Sequence, residues 1–364
     1  SQSATSVSLH STSEELAVWN QRRVSGPYLD DWAAINTNGT NWRNSPESRW
    51  VGNTTGTCYA QSGLSSDSNP GRSKDSGMRD AAFVYMLTGD TSYVTPVRAQ
   101  LLAQAAVSGT NFATTSKWCP ASDGTAGGQR EAANWVRRLV YAYSYIRNAA
   151  AMSSGDRTTL DAWFLDAGTY FDGAFHGQAL KRFPNRLTDN YTCDNSFGNC
   201  PGGNVGITHF GGNMVNNFHL IWDNNGAALE AAVAAIGVVV NNNTLKENAL
   251  RAFQEFIKYA VYSDGTTIDQ RRWQGYNQEL ASTPAPYLGF AYQTEMLGTL
   301  ATIADHIART GDLSAFTYST TIGLYGTASG TPKSLLTALQ HAAGQVNGTV
   351  VNYASTTSTT NSAL

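Results

Sequence analysis

Met78–Asp90, MRDAAFVYMLTGD, runs directly into Thr91–Val107, TSYVTPVRAQLLAQAAV, and the reading of this stretch decides the fold. Apolar residues recur at helical spacing in the first part, Gly89 stops it, and Thr91 offers an N-cap to the second part. The spacing therefore predicts two helices joined by a tight Thr-Gly-Asp turn, an antiparallel hairpin. The pattern recurs along the chain. Glu14–Arg23 predicts an early helix, Gln129–Ala151 and Asp156–Phe175 are separated by Ser153-Ser154-Gly155, and Leu229–Val240 pairs with Leu245–Tyr262 across NNNT. Tyr292–Arg309 then leads through Thr310-Gly311-Asp312, an echo of the first turn, to Pro332–Ala343.

Strand signals are weak, since few segments alternate apolar with polar residues over a useful length. Repeated hairpins, each with one apolar face, must bury those faces together. The expected fold is all-α, an incomplete (α/α) toroid or barrel of helical hairpins with long loops and a groove at one end. An α-solenoid would show a fixed short period, and none is visible. No linker separates two cores, so residues 1–364 read as one domain. Residues 36–76, rich in Asn, Gly, Ser and Thr, read as a long lid or binding loop, and 346–364 as an irregular tail. Trp42, Trp50 and Tyr59 in that loop, with Trp118, are candidate stacking platforms for sugar rings.

Composition narrows the function classes. Charged residues are only 14% of the 364, against about 25% in an average soluble protein. A net charge of −3 without a basic run argues against nucleic acid as partner. No apolar run reaches the roughly 18 residues that span a bilayer, so no membrane partner is expected. A few local arginines can still make a positive cleft for an acidic substrate. The four cysteines, Cys58, Cys119, Cys193 and Cys200, lack the spacing of a zinc site or a CxxC redox pair, so two disulfides are expected. Cys193 with Cys200 would close a short loop and leave Cys58 with Cys119, although three pairings are possible. Sequons at Asn38, Asn53, Asn190, Asn242 and Asn347 agree with a secreted glycoprotein. The first residues, SQSATS, carry no charged-then-apolar leader, as in a mature secreted form.

Two stretches carry candidate chemistry. Gly211–Trp222, GGNMVNNFHLIW, sets Asn216 and Asn217 beside His219 and Trp222, just where a glycine-rich loop gives way to a long apolar run. Asp264–Arg272, DGTTIDQRR, is followed from Tyr287 by YLGFAYQTEMLGTLATIADHIARTGD. The first resembles the central motif of the alginate-lyase family of polysaccharide lyases, Asn-Asn-His, any residue, Tyr-Trp. His219 and Trp222 fall in place, Phe218 stands at the second Asn and Ile221 at the Tyr; retaining Asn216-Asn217 takes a one-residue insertion before the histidine. The second is similar to the family's DGT, then Glu and Arg, then a Tyr-His opening a helix. Here Asp264-Gly265-Thr266 precedes Arg271 and Arg272, Tyr292 falls on the family's tyrosine and Gln293 on the histidine after it. An extra loop, Trp273 to Pro286, leaves Tyr276 and Tyr287 as competitors.

The resemblance implies an incomplete (α/α) toroid and a catalytic domain that cleaves a 4-linked polyuronate by β-elimination. In such a polymer C5 bears both the proton to be removed and a carboxylate that is already negative. Asn217, with Asn216, would donate hydrogen bonds to that carboxylate, and Arg272 or Arg271 a charge-assisted one. His219 is suited to take the C5 proton, and Tyr292 to protonate the leaving O4. Trp222, Tyr59, Tyr287 and Gln293 are expected to line the substrate site. The scheme needs no metal or other cofactor, and the enzyme is expected to act as a monomer on an acidic polysaccharide. Two rivals stand beside it. A glycoside hydrolase would need a carboxylate pair, drawn from Asp80, Asp161, Asp223 or Glu295; a non-catalytic carbohydrate-binding protein would use only the aromatic loops.

Overall fold

The computed structural model describes residues 9, 12–47, 75–106, 127–182, 222–273, 286–322 and 328–346. Within these, the structure describes the backbone alone at 75, 127–129, 131, 177–182, 271–273, 286–288 and 328–329. The helices are α1 (Ser13–Arg22), α2 (Leu29–Asn44), α3 (Asp75–Thr88), α4 (Val94–Ala105), α5 (Gly127–Ile146), α6 (Ser154–Arg182), α7 (Asn224–Val239) and α8 (Asn243–Tyr259). After them come α9 (Ile268–Trp273), α10 (Pro286–Ala308), α11 (Ser314–Thr317) and, beyond a two-stranded antiparallel ribbon of β1 (Thr320–Ile322) and β2 (Ala328–Lys333), α12 (Leu335–Val346). Among the described residues no helix is long and apolar enough to cross a membrane. The chain divides into two compact units, Ser1–Cys119 with Glu131–Phe171 and Ala232–Lys246, and Pro120–Arg130 with Asp172–Ala231 and Glu247–Leu364.

In the first unit, α1 starts at a capping box. Thr12 accepts from the Glu15 N–H at 3.2 Å while Glu15 accepts from the Thr12 N–H at 2.6 Å. The hairpin of α3 and α4 turns at Gly89, whose φ of +74° suits glycine. The cap is Asp90 rather than the expected Thr91: its carboxylate accepts from Ser92 N–H at 2.9 Å and opens a single 3-10 turn, Thr91–Tyr93. Arg98 on α4 forks onto Asp156 at 2.8 and 2.9 Å, and Asp156 also completes a reciprocal cap at the start of α6, accepting from Ser153 N–H at 2.8 Å while the Ser153 hydroxyl accepts from Asp156 N–H at 3.1 Å. Between α5 and α6, Tyr143 stacks on Phe164 with centroids 5.4 Å apart, and Trp135 meets Trp163 edge-on.

Helix α2 corrects the expectation of one loop over 36–76, because residues 36–44 continue it. Its sequence, rich in Asn, Thr and Gly, has poor intrinsic helix propensity, and tertiary packing overrides this. A Cβ at Gly39 would come 2.9 Å from the Ala81 backbone nitrogen, and one at Gly77 would come 2.9 Å from Trp42 Cβ, so α2 and α3 lie glycine to backbone. Trp42, expected at a sugar-stacking site, is buried in this contact and donates its indole N–H to the Glu47 carbonyl. The remaining stacking candidates, Trp50, Tyr59 and Trp118, lie outside the described residues.

In the second unit, Asp264-Gly265-Thr266 is a tight turn. Asp264 accepts from both the N–H and the hydroxyl of Thr266, and Gly265 has a φ of +85°. The turn lies against α12, since a Cβ at Gly265 would meet His341 Cβ at 2.6 Å. Lys333, at the end of β2, sends its ammonium to the carbonyls of Lys258 and Val261 and so caps the C-terminal end of α8. The ribbon was not expected from the sequence. Of the sequon residues, Asn38 donates its amide to Asp80 at 2.6 Å and Asn242 caps α8 by accepting from Leu245 N–H at 3.0 Å. Asn53, Asn190 and Asn347 lie outside the described residues, as do Cys58, Cys119, Cys193 and Cys200.

Candidate functional site

Helix α7 begins five residues before the predicted Leu229, at a polar triplet. Asp223 is its cap, accepting from the N–H groups of Asn225 at 2.9 Å and Gly226 at 3.0 Å, where an anionic side chain also suits the helix dipole. The next two residues reach outward. Asn224 donates its backbone N–H to Asp269 on α9 at 2.8 Å and its side-chain amide to Glu295 on α10 at 3.0 Å. Arg130 closes the circuit, 3.1 Å from the second oxygen of Glu295 and 3.3 Å from Asn225, whose own amide returns to Asp223 at 2.9 Å.

This network joins the continuations of the stretches singled out in the sequence. Residues 211–221, including Asn216, Asn217 and His219, lie outside the described residues, but they run directly into Trp222 and the triplet. Asp269 sits two residues before Arg271-Arg272 on the same short helix, where the backbone alone is considered. Glu295 sits three residues after Tyr292 on α10, one turn along the same side of the helix. Tyr292 is half-buried and so keeps access to solvent. Tyr287 is the second residue of the same helix, described by its backbone alone.

Two expected substrate contacts are corrected. Trp222 is fully buried, with its ring tilted against Tyr259 at 4.9 Å and its N–H donated to the buried Glu255 at 3.2 Å. Gln293 is likewise fully buried. Its oxygen accepts from the N–H and hydroxyl of Thr267, each at 3.2 Å, and its amide donates to Gln345 at 3.0 Å, so it ties the loop after the DGT turn and α12 to α10. Both residues hold scaffold to scaffold. Neither is exposed to a saccharide.

The carboxylates named for a hydrolase are committed elsewhere. Asp80 is held by Arg79 and Asn38, Asp161 by Arg147 and Tyr143, Asp223 by the helix it caps, and Glu295 by Arg130 and Asn224. The first unit also has an open cleft of about 240 Å³ lined by Trp19, Tyr28, Trp32 and Phe83. Two of these rings are already faced by guanidinium groups, Tyr28 by Arg22 at 5.3 Å and Trp32 by Arg23 at 5.5 Å.

Sequence reasoning missed Arg130, Asn224 and Asn225, and it named Asp223 only as a hydrolase carboxylate and not as a helix cap. The triplet had a signal, three polar residues ahead of an apolar run. Arg130 had none, because its value comes from meeting residues 95 and 165 positions away.

No family model and no curated protein matches the sequence. Solved structures do match, and they define the class of fold as the all-α, (α/α) toroid of the alginate lyases. A variant of alginate lyase A1-III complexed with tetrasaccharide is 14% identical, the match covering 95% of this chain and 80% of that one with a TM-score of 0.54. An alginate lyase from Bacteroides ovatus is 12% identical over 93% of this chain and 82% of its own, with a TM-score of 0.54. Alginate lyase A1-III from Sphingomonas species A1 gives 12%, 86%, 77% and 0.51 for the same measures.

Proposed function

We propose that this protein is a secreted polysaccharide lyase that cleaves a 4-linked polyuronate, an alginate or glucuronan chain, by β-elimination. The observation that carries the reading is the polar network of Asn224, Asp269, Glu295 and Arg130. It ties the start of the helix that follows His219 in sequence to the short helix that carries Arg271-Arg272 and to the helix that carries Tyr292, in a chain whose fold is that of alginate lyases.

In the proposed reaction Asn217, with Asn216, and Arg272 or Arg271 hold the carboxylate at C5, so that charge developing there in the transition state meets preorganised donors. Each such donor is typically worth roughly 3–4 kcal/mol. His219 takes the C5 proton, the electron pair forms the C4–C5 double bond, the C4–O4 bond breaks, and Tyr292 gives its proton to the leaving oxygen. If both groups depart from one face of the ring, Tyr292 performs both transfers. Five sequons and four cysteines support export.

The test is to incubate the purified chain with mannuronate and guluronate blocks of alginate, glucuronan and glycosaminoglycans, following ultraviolet absorbance of the 4,5-unsaturated uronate. A gain in absorbance with chain shortening on one polymer is the expected result. New reducing ends without absorbance would identify a hydrolase, and binding with neither would identify a carbohydrate-binding protein.

A further inference from the structure

We infer that Asp172, His176 and Glu230 form a binding site for one divalent metal ion of the zinc class, a helix-to-helix clamp inside the second unit. Asp172 and His176 stand four residues apart on α6 and share one face. Glu230 comes from α7. One ligand atom from each of the three lies within 4.8 Å of the others. The closest measured pair, His176 Nε2 and Asp172 Oδ1, is 3.3 Å apart. That is about the edge of a tetrahedron whose centre lies roughly 2.0–2.1 Å from each corner, the bond length zinc makes to imidazole and carboxylate. Three protein ligands, one nitrogen and two carboxylates, leave a fourth position to water.

The surroundings are those of a supported ligand set. Asn248 on α8 donates to Asp172 Oδ2 at 2.8 Å, which orients the carboxylate and turns Oδ1 toward His176. Phe175 meets the His176 ring edge-on at 5.0 Å and stacks on Phe256 at 5.7 Å, an apolar wall that limits how the imidazole can rotate. Glu230 is fully buried. The side chains of His176 and Asp172 keep 13% and 16% exposure, while the ligand atoms themselves, His176 Nε2, Asp172 Oδ1 and both carboxylate oxygens of Glu230, are buried, so a bound ion would be enclosed. A divalent cation would balance the two carboxylates in that low-dielectric setting. Without a thiolate the set does not suit Cu(I) or an iron–sulfur cluster, and the imidazole favours zinc over calcium or magnesium. The inference does not depend on the proposed elimination chemistry.

The test uses the full chain, stripped with a chelator and dialysed, then titrated with Zn²⁺ by calorimetry while the thermal midpoint is followed. Co²⁺ serves as a visible probe of coordination. The expected result is one equivalent bound, a raised midpoint, and a Co²⁺ spectrum of tetrahedral or five-coordinate intensity. His176→Ala and Asp172→Asn should each abolish that equivalent, and Asn248→Ala, which leaves all three ligands in place, should weaken it roughly 10–100-fold. Absence of saturable binding of Zn²⁺, Mn²⁺ and Ca²⁺ to the unaltered chain would overturn the site whatever the variants do. So would a Zn²⁺ equivalent that persists undiminished in Asp172→Asn and Asn248→Ala. Either result would leave His176 paired with Asp172 as a plain ionic contact.

Discussion

Arg130 and Glu295 form an ion pair at 3.1 Å between the first turn of α5 and the middle of α10, and Asn224 at the start of α7 holds the other oxygen of the same carboxylate. One side chain thus joins three helices that are far apart in sequence. An exposed ion pair contributes little, about 0–1 kcal/mol. The further bond to Asn224 adds on the order of 1 kcal/mol.

Glu295→Ala should therefore lower unfolding free energy by about 1–2 kcal/mol in urea melts. If the network aligns Tyr292, the turnover number should fall roughly tenfold or more, since small misplacements of catalytic groups are costly. A variant equally destabilised but fully active would show that the network serves stability alone.

Tyr292→Phe removes one oxygen from a half-buried side chain, so the melt should be nearly unchanged. Ultraviolet turnover should drop by about 10²–10⁴-fold, the usual loss for a general acid or base, and His219→Ala should do the same. Near-normal rates in both variants would remove the acid–base assignment.

Gly39→Leu tests the packing of α2 on α3, where a Cβ would lie 2.9 Å from the Ala81 nitrogen. The wall there is backbone and cannot move aside. We expect a loss of about 1–3 kcal/mol in denaturant melts, the usual cost of overpacking. An unchanged midpoint would mean that the two helices do not approach as closely as described.

Lys333 predicts a pH dependence. Burial lowers its ammonium from 10.5 to about 8. Between those values the unfolded chain binds a proton that the folded chain does not, so stability from this group rises with pH, is complete above about 10.5, and is lost as pH falls through about 8. The full change is about 3 kcal/mol. Thermal midpoints followed across that interval should rise more steeply in the native chain than in Lys333→Met; parallel slopes would contradict the shift.

The hairpin of α3 and α4 could be read directly because its signals are local: helical spacing and Gly89, with only the cap misplaced by one residue, on Thr91 instead of Asp90. The same holds for α7 and α8, whose joint at Asn241 and Asn242 is marked by residues that tolerate a left-handed turn and cap a helix. Helix α2 could not be read, because its order comes from glycines pressed against another helix. At the candidate site, the motif residues Trp222 and Gln293 were legible as important but not as buried. A tryptophan that donates to Glu255 and a glutamine that makes three hydrogen bonds look, in one dimension, like groups awaiting a sugar. Arg130 lies beyond any local rule.

The bond from Gln293 to Gln345 has a practical corollary for anyone trimming the protein. Helix α12 is stitched to the one that bears Tyr292, and the preceding strand lends its lysine to the end of α8. A cut made ahead of Ser334 would remove the partner of a sealed amide beside the candidate phenol, so shortened forms should be designed to retain everything through Val346.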